Sequence, residues 1–482
     1  VEQAPGLIDI LKLPLAQLPH ELRLAPVPRW PRHRRPTLRV RPPGSKSLTN
    51  RALLLAALAE GTSTIRNALL DADDAQRMLA AIGTLGAGAE QTEANTLRVR
   101  GVAGCWNPSS NPAELNLNNA GTATRFLAAA AVLSRTPIII DGNARMRQRP
   151  IAELADVLPL LGARVEYTGE PGFPPLRIIP PRALGKEPAA PRVIELPTTQ
   201  SSQFISALLL IAPWLSTGVT LRLQGEVTSR SYIQMTLGQL ASLGASVRNS
   251  ADLSVIRVGA GPVPPGAAPG LPAFTHDVEP DASGATYFWA AAAILPGLTC
   301  RVQGIGADSL QGDSDFPVML ERMGVDRVPA ESADPELSVD GPDELAPTIA
   351  DMSDMPDAAM SLAAVACFAK GTTVLRGLRT LRVKETDRIE AMRTELSKLG
   401  VTLASPVAGD ADALSITPPV GGIDCTPSCP TVVFDTYDDH RMAMSLALIG
   451  LRRPNVVIRD PGCVAKTYPA FWRDYARLHE LV

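Results

Sequence analysis

A hydrophobic residue, a glycine and a small residue recur together five times at nearly even spacing, and this constrains the chain more than any other feature. The copies are Leu85-Gly86-Ala87, Leu161-Gly162-Ala163, Leu243-Gly244-Ala245, Met323-Gly324-Val325 and Leu399-Gly400-Val401, and successive glycines lie 76, 82, 80 and 76 residues apart. A length of 482 residues leaves room for a sixth, degenerate copy. Each copy closes a helix-like segment. Between Glu385 and Gly400, for example, Ile389, Met392, Leu396 and Leu399 fall on one face ahead of a helix-ending glycine. Short β-like runs follow four of the glycines: Arg164 to Tyr167, Ser246-Val247, Arg327-Val328 and Thr402-Leu403. A second kind of helix is almost wholly apolar (Phe126 to Leu133, Phe204 to Leu210, Tyr287 to Leu295) and should be buried on all sides. A period near 80 exceeds the roughly 20 to 50 residues of common solenoid repeats. Six α/β units gathered into two domains of three are expected. A string of independent beads would leave the apolar helices uncovered.

Bulk properties narrow the function. A hydrophobic fraction of 45% and a charged fraction of 20% suit a globular protein. The longest apolar stretches fall short of the roughly 18 to 20 residues that a membrane helix needs, so no membrane partner is expected. A net charge of −3 provides no general field for nucleic acid, so an anionic ligand would have to be held by local groups of Lys and Arg. The six cysteines (105, 300, 367, 425, 429 and 463) and five histidines show no metal-site spacing, and free thiols in a reducing cytoplasm are the simplest reading. Before the first motif runs an extension, residues 1–36, with an apolar stretch (Leu7 to Leu18) and a basic run (Arg29 to Arg35). It lacks the order of a secretory signal. A trimmed start, a docking arm and a poorly ordered tail all fit it.

Polar helix starts carry the chemistry. Gly44-Ser45-Lys46-Ser47 leads into a strong helical run, with Ser47 and Arg51 on one face and Lys46 at the mouth. Such a start leaves backbone N–H groups to meet an anion. Similar starts are Asn119-Ala120-Gly121-Thr122, Ser201-Ser202-Gln203, Lys384 to Arg388 and Asp439-His440-Arg441, while Arg145 to Pro150 sets three arginines before a proline suited to a first helical turn. One such start is ordinary capping. Six point to a cleft where helix dipoles and cations act together on a multiply charged anion. Asp357 and Glu385 stand out as acids against this basic background, although an acid among cations is often only an ion-pair partner.

The order of the motifs then resembles that of the 5-enolpyruvylshikimate-3-phosphate synthase family. The matching segments are Pro-Gly-Ser-Lys-Ser at 43–47, Asn-Ala-Gly-Thr-Ala at 119–123, Arg-Pro-Ile at 149–151, Ser-Ser-Gln-Phe at 201–204, Pro-Asp-Ala-Ala-Met at 356–360, Arg-Val-Lys-Glu-Thr-Asp-Arg at 382–388, Asp-His-Arg-Met-Ala-Met at 439–444 and Ala-Lys-Thr at 465–467. The resemblance implies a two-domain inside-out α/β barrel of six βαβαββ repeats, three per domain about a pseudo-threefold axis. One domain (37–43 plus 277–482) would contain both chain ends, with the second (44–276) inserted, and the active site would lie in the interdomain cleft. The implied reaction moves the carboxyvinyl group of phosphoenolpyruvate to the 5-hydroxyl of shikimate 3-phosphate by addition and elimination. No metal or organic cofactor is implied. Asp357 would deprotonate the hydroxyl, Glu385 protonate the methylene carbon, and Lys46 stabilise charge. Lys46, Ser47, Arg51, Ser201, Ser202, Gln203, Ser229, Tyr232, Asp357, Thr380 and Lys384 would contact shikimate 3-phosphate. Lys46, Gly121, Arg149, Gln203, Arg388, Arg441 and Lys466 would surround phosphoenolpyruvate. The resemblance also implies glyphosate as an inhibitor, and a cytoplasmic monomer is expected.

Three positions depart from the family pattern. Asn118 stands where glycine is expected, Phe126 replaces the usual proline, and Thr380 stands where asparagine is often a substrate ligand. Two rival readings fit the residues less well. A carboxyvinyl transferase acting on UDP-N-acetylglucosamine would need a reactive loop cysteine, yet Cys105 lies in Gly104-Cys105-Trp106 without that context. A non-catalytic relative would be expected to have lost some of Lys46, Asp357, Glu385, Arg388, Arg441 and Lys466, and all are present.

Overall fold

A computed structural model describes residues 6–31, 34–181, 192–197, 201–225, 227, 229–261, 268–331, 333–406 and 410–481, so Arg32 and His33 of the basic run lie outside the described residues. The chain divides into two compact units, residues 1–43 with 280–482, and residues 44–279. Both are α/β with mixed sheets.

Helices without a polar face have to be covered from every direction, and this organises each unit. In the 44–279 unit the helices Lys46–Leu58, Gly121–Ala130 and Ser202–Ile211 pack on one another. The first is buried from Leu48 onward, the second along its whole length, and the third everywhere but Gln203. In the other unit Ala282–Ile294, Ala359–Ala366 and His440–Ala447 are buried throughout, with 359–366 touching both of its partners.

Each buried helix leads into the second strand of a small sheet of nearly constant design. Two sheets of the 44–279 unit run Ala113–Asn116, Ile138–Asp141, Leu176–Ile179, Arg164–Tyr167 and Arg192–Leu196, Val219–Leu223, Val255–Val258, Val247–Asn249. In both, the first pair is parallel and the remaining two are antiparallel. A helix crossover between parallel strands followed by a hairpin produces this order. The third sheet of this unit takes its first strand, Thr275–Asp277, from the far end of the segment and pairs it with Thr62–Arg66. In the other unit Thr37–Val40 pairs in the same way with Thr299–Gln303, and Ile349–Asp351 with Thr373–Arg376.

The sixth copy is the degenerate one. Val432–Phe434 runs parallel to Val456–Arg459, but the next, antiparallel strand is Glu21–Leu24, from the segment before the first motif. Leu22 and Leu24 of this strand are buried, and the nearby helix Leu7–Leu11 packs on the C-terminal helix Phe471–Glu480. Residues 7–24 are thus docked on their own chain.

The five repeat glycines sit where the spacing places them. Gly86, Gly162, Gly244, Gly324 and Gly400 all have positive φ, between 77° and 103°. At four of them the next N–H reaches back to the last turn (Ala87 to Ile82, Ala163 to Leu158, Ala245 to Leu240, Val325 to Leu320), which satisfies carbonyls that the helix end would orphan.

Candidate active site

The 44–279 unit gathers cations at helix starts. Helix 46–58 begins straight after Gly44, where a Cβ would lie 1.9 Å from the Asn67 carbonyl oxygen, so glycine is required by a close backbone approach. Lys46 Nζ is 3.2 Å from Asp74 Oδ2, while Asp74 Oδ1 is buried without a hydrogen bond. Arg51, one turn on, is 2% exposed; its Nη1 donates to the Ser47 carbonyl at 2.9 Å. No carboxylate pairs with Arg51 among the described residues, and burial lowers its pKa to about 10.

Gly121 opens the 121–130 helix, and the Arg149 guanidinium lies against it: a Cβ there would sit 2.4 Å from Nη2. The glycine therefore makes room for the cation itself. Arg149 Nη1 donates to the Asn119 carbonyl at 3.2 Å and to Asn119 Oδ1 at 3.1 Å; Nε is buried without a partner, and no carboxylate neutralises the group among the described residues. Asn118 takes the left-handed conformation (φ 48°) that a glycine would adopt more cheaply. Its N–H donates to Asn116 Oδ1 and its Nδ2 to Asp73 Oδ2, which hold the turn without a glycine. Ser201 caps the 202–211 helix by accepting from Gln203 N, and Gln203 Nε2 donates to Thr122 Oγ1 at 3.4 Å. Ser229, at φ 53°, precedes the helix Arg230–Ser242, which carries Tyr232 in its first turn.

The second unit assembles the remaining expected residues around one buried guanidinium. Arg388 is 1% exposed. Its Nε donates to Asp439 Oδ2 at 2.7 Å, Nη1 to Asp357 Oδ1 at 2.9 Å, and Nη2 to Glu385 Oε2 at 2.8 Å and Asp439 Oδ1 at 3.1 Å. Asp357 also meets Arg441 Nη2 at 3.1 Å and Lys384 Nζ at 3.4 Å, and Glu385 meets Lys466 Nζ at 2.8 Å. Four cations therefore interlock with three carboxylates. Burial lowers the Arg388 pKa, but Asp439, Glu385 and Asp357 outweigh it and hold the group above its usual value. Burial leads in pulling Lys384 down, with Asp357 opposing and Arg388 adding. Thr380 lies in the 3₁₀ turn Arg379–Val383 with its hydroxyl buried and unbonded. The proline at 150 falls outside the short helix Ala152–Ala155 instead of in its first turn, and its carbonyl accepts from Arg125 Nη2 at 2.7 Å.

Three acids, Asp439 and Asp313 in this unit and Asp74 in the 44–279 unit, are not among the residues that the sequence singles out for chemistry. Asp439 stands there only as a helix start, yet it caps Arg441 N and forks onto Arg388. Its position at an N-cap is the available signal. Asp74 and Asp313 offer none, because each acts through residues distant in sequence. Asp313 accepts from Ser283 Oγ, its Oδ1 is buried and unbonded, and its pKa is pushed up to about 7, by burial first and the Asp357 charge next, against Arg441. Unfolded, it would titrate near 3.8, so between those values the native state holds the extra proton and stability falls as pH rises. Asp313→Asn has no proton to lose. Its melting temperature relative to the parent protein should therefore climb from about pH 5 to about pH 8; a flat difference would contradict the raised value.

Six cysteines are free thiols, no group of metal-binding residues occurs among the described residues, and no described helix is long and apolar enough to cross a membrane. A family model described as EPSP synthase (3-phosphoshikimate 1-carboxyvinyltransferase) matches residues 34–475. The chain is 44% identical over 439 residues to the 3-phosphoshikimate 1-carboxyvinyltransferase of Thiobacillus denitrificans, covering 91% of this chain and 96% of that protein. It is 42% identical over 438 residues to the enzyme of the same name from Vibrio cholerae, covering 90% and 95%. Its fold is similar to the solved EPSP synthase of Acinetobacter baumannii, with a TM-score of 0.72, 26% identity, and 94% and 96% of the two chains covered. A buried lattice of Lys, Arg and acidic side chains on this fold, matched over nine-tenths of the chain by such relatives, places the protein in the EPSP synthase (3-phosphoshikimate 1-carboxyvinyltransferase) family.

Proposed function

We infer that this chain is a 3-phosphoshikimate 1-carboxyvinyltransferase, which transfers the carboxyvinyl group of phosphoenolpyruvate to the 5-hydroxyl of shikimate 3-phosphate and releases phosphate. The observation that carries the reading is the interlocked cluster of Asp357, Glu385, Lys384, Arg388, Arg441 and Lys466. Lys46, Ser47, Arg51, Ser201, Ser202, Gln203, Ser229, Tyr232, Asp357, Thr380 and Lys384 contact shikimate 3-phosphate; Lys46, Gly121, Arg149, Gln203, Arg388, Arg441 and Lys466 bind phosphoenolpyruvate. In support, Arg51 and Arg149 are buried guanidiniums without a carboxylate partner among the described residues, an arrangement that is costly unless an anionic ligand supplies the counter-charge.

In the first step the 5-hydroxyl oxygen bonds to carbon 2 of phosphoenolpyruvate, its proton passes to Asp357, and Glu385 gives a proton to the methylene carbon. A ketal phosphate results. Carbon 3 then returns a proton to Glu385 as the bond from carbon 2 to the phosphate oxygen breaks; Lys46 stabilises the leaving phosphate, which takes up the proton that Asp357 accepted, so both acids end as they began. Glu385 is held by Arg388 and Lys466, the cations assigned to phosphoenolpyruvate. An arriving phosphate or carboxylate re-pairs those cations and so releases Glu385 to carry a proton.

The same proposal extends to architecture and inhibition. Three sheets around three buried helices in each unit support six βαβαββ repeats forming two inside-out barrels, each about a pseudo-threefold axis. Glyphosate is expected to compete with phosphoenolpyruvate, so its apparent inhibition constant should rise linearly with phosphoenolpyruvate concentration. An inhibition constant indifferent to that concentration would separate the two sites. The function itself is tested by phosphate release from purified protein. Release only when both substrates are present, with one enolpyruvyl product per phosphate, is the expected result; binding of both without turnover would reject it.

A further inference from the structure

Four helices of the 44–279 unit converge on the Arg51 guanidinium. Arg51 comes from helix 46–58, Phe126 from 121–130, Ser206 from 202–211, and Thr236 and Tyr232 from 230–242. Arg51 Nε donates to Thr236 Oγ1 at 2.8 Å, and Nη2 to the Tyr232 carbonyl at 3.2 Å and Ser206 Oγ at 3.4 Å. Thr236 Oγ1 is in turn 2.9 Å from both Ser206 Oγ and the Tyr232 carbonyl. The Phe126 ring lies against the guanidinium, with its centroid 5.2 Å from Cζ. Phe126, Ser206 and Thr236 are fully buried.

Every partner in this set is neutral. Two hydroxyls, two carbonyls (Ser47 and Tyr232) and a ring face fix the plane of the guanidinium without cancelling its charge. A buried cation is normally matched by an acid, as Arg388 is in the other unit. Here four of the five N–H donors are spent on orientation, and one donor on Nη1 is left for an incoming group.

We propose that Thr236, Ser206 and Phe126 are positioning residues that hold Arg51 as an unneutralised cation for an anionic group of the acceptor, shikimate 3-phosphate. This rests on the function proposed above. It also gives a physical role to the phenylalanine at 126, whose ring covers the cation with an electron-rich face where a smaller side chain would leave a gap.

Thr236→Val keeps the shape and removes the acceptor, whereas Thr236→Ser keeps the hydroxyl. In calorimetric titration of the full chain with shikimate 3-phosphate, Thr236→Val should raise the Kd about tenfold or more, and Thr236→Ser should restore it to within about threefold. Phe126→Leu should raise it by a smaller factor. In steady-state assays the KM for phosphoenolpyruvate and kcat should stay within about twofold of the parent values. Melting temperatures report that each variant is folded. An unchanged Kd in Thr236→Val overturns the proposal. So does an equal rise in KM for both substrates, or a failure of serine to rescue, because these mark a purely structural role. If the parent protein does not turn over but Thr236→Val still weakens shikimate 3-phosphate binding, the functional reading fails and the cradle stands. If the parent turns over and Thr236→Val binds as tightly, the cradle alone fails.

Discussion

Arg388→Met should lower stability by about 3–5 kcal/mol, the range seen when one member of a buried ion pair is removed. The guanidinium is fully buried and serves three carboxylates. Without it Asp357 keeps Lys384 and Arg441, and Glu385 keeps Lys466. Asp439 loses both of its charge-assisted contacts to Arg388 and retains the Arg441 N–H, at 0% exposure. Most of the loss should therefore trace to Asp439. The check is equilibrium denaturation of the single variant beside Arg388→Met/Asp439→Asn. The double variant should recover part of the loss, giving a coupling well above 0.5 kcal/mol in magnitude. A single variant within about 1 kcal/mol of the parent would mean that the cluster relaxes or admits water instead of leaving a charge stranded.

Asp357→Ala should lower kcat by at least about 10²-fold, the usual contribution of a positioned general base, while shikimate 3-phosphate binding survives. The structure sharpens the second half. Asp357 balances Lys384, Arg388 and Arg441, so its removal leaves three cations short of counter-charge and should favour an anionic ligand. Binding is expected to be as tight as in the parent, or tighter. Asp357→Asn keeps the volume and loses the basicity, and should show the same drop in kcat. Near-normal turnover in either variant would remove Asp357 from proton transfer and leave it as an ion-pair partner.

Helix ends are legible in the sequence because capping chemistry is local: a glycine that accepts positive φ and a terminal carbonyl seeking a donor lie within one turn. The repeat can thus be counted from Gly86, Gly162, Gly244, Gly324 and Gly400, and the buried helices from uninterrupted apolar runs. The order of the polar helix starts is enough to suggest a site for anions and the family to which the chain belongs.

Tertiary structure decided the rest. No periodicity announces that the sixth sheet borrows Glu21–Leu24 to lie beside Val456–Arg459, because strand pairing is a contact between surfaces more than 400 residues apart in sequence. Nor does the sequence distinguish Arg388, wrapped by three acids, from Arg51, held by hydroxyls, carbonyls and a phenyl ring. Both are arginines within the first two turns of a helix. One is neutralised and the other keeps its charge because charge balance in a buried place depends on which helices meet there. By itself the sequence determined the repeating unit and the supply of cations; only the packing of helices against one another decided which of those cations keep their charge for a ligand.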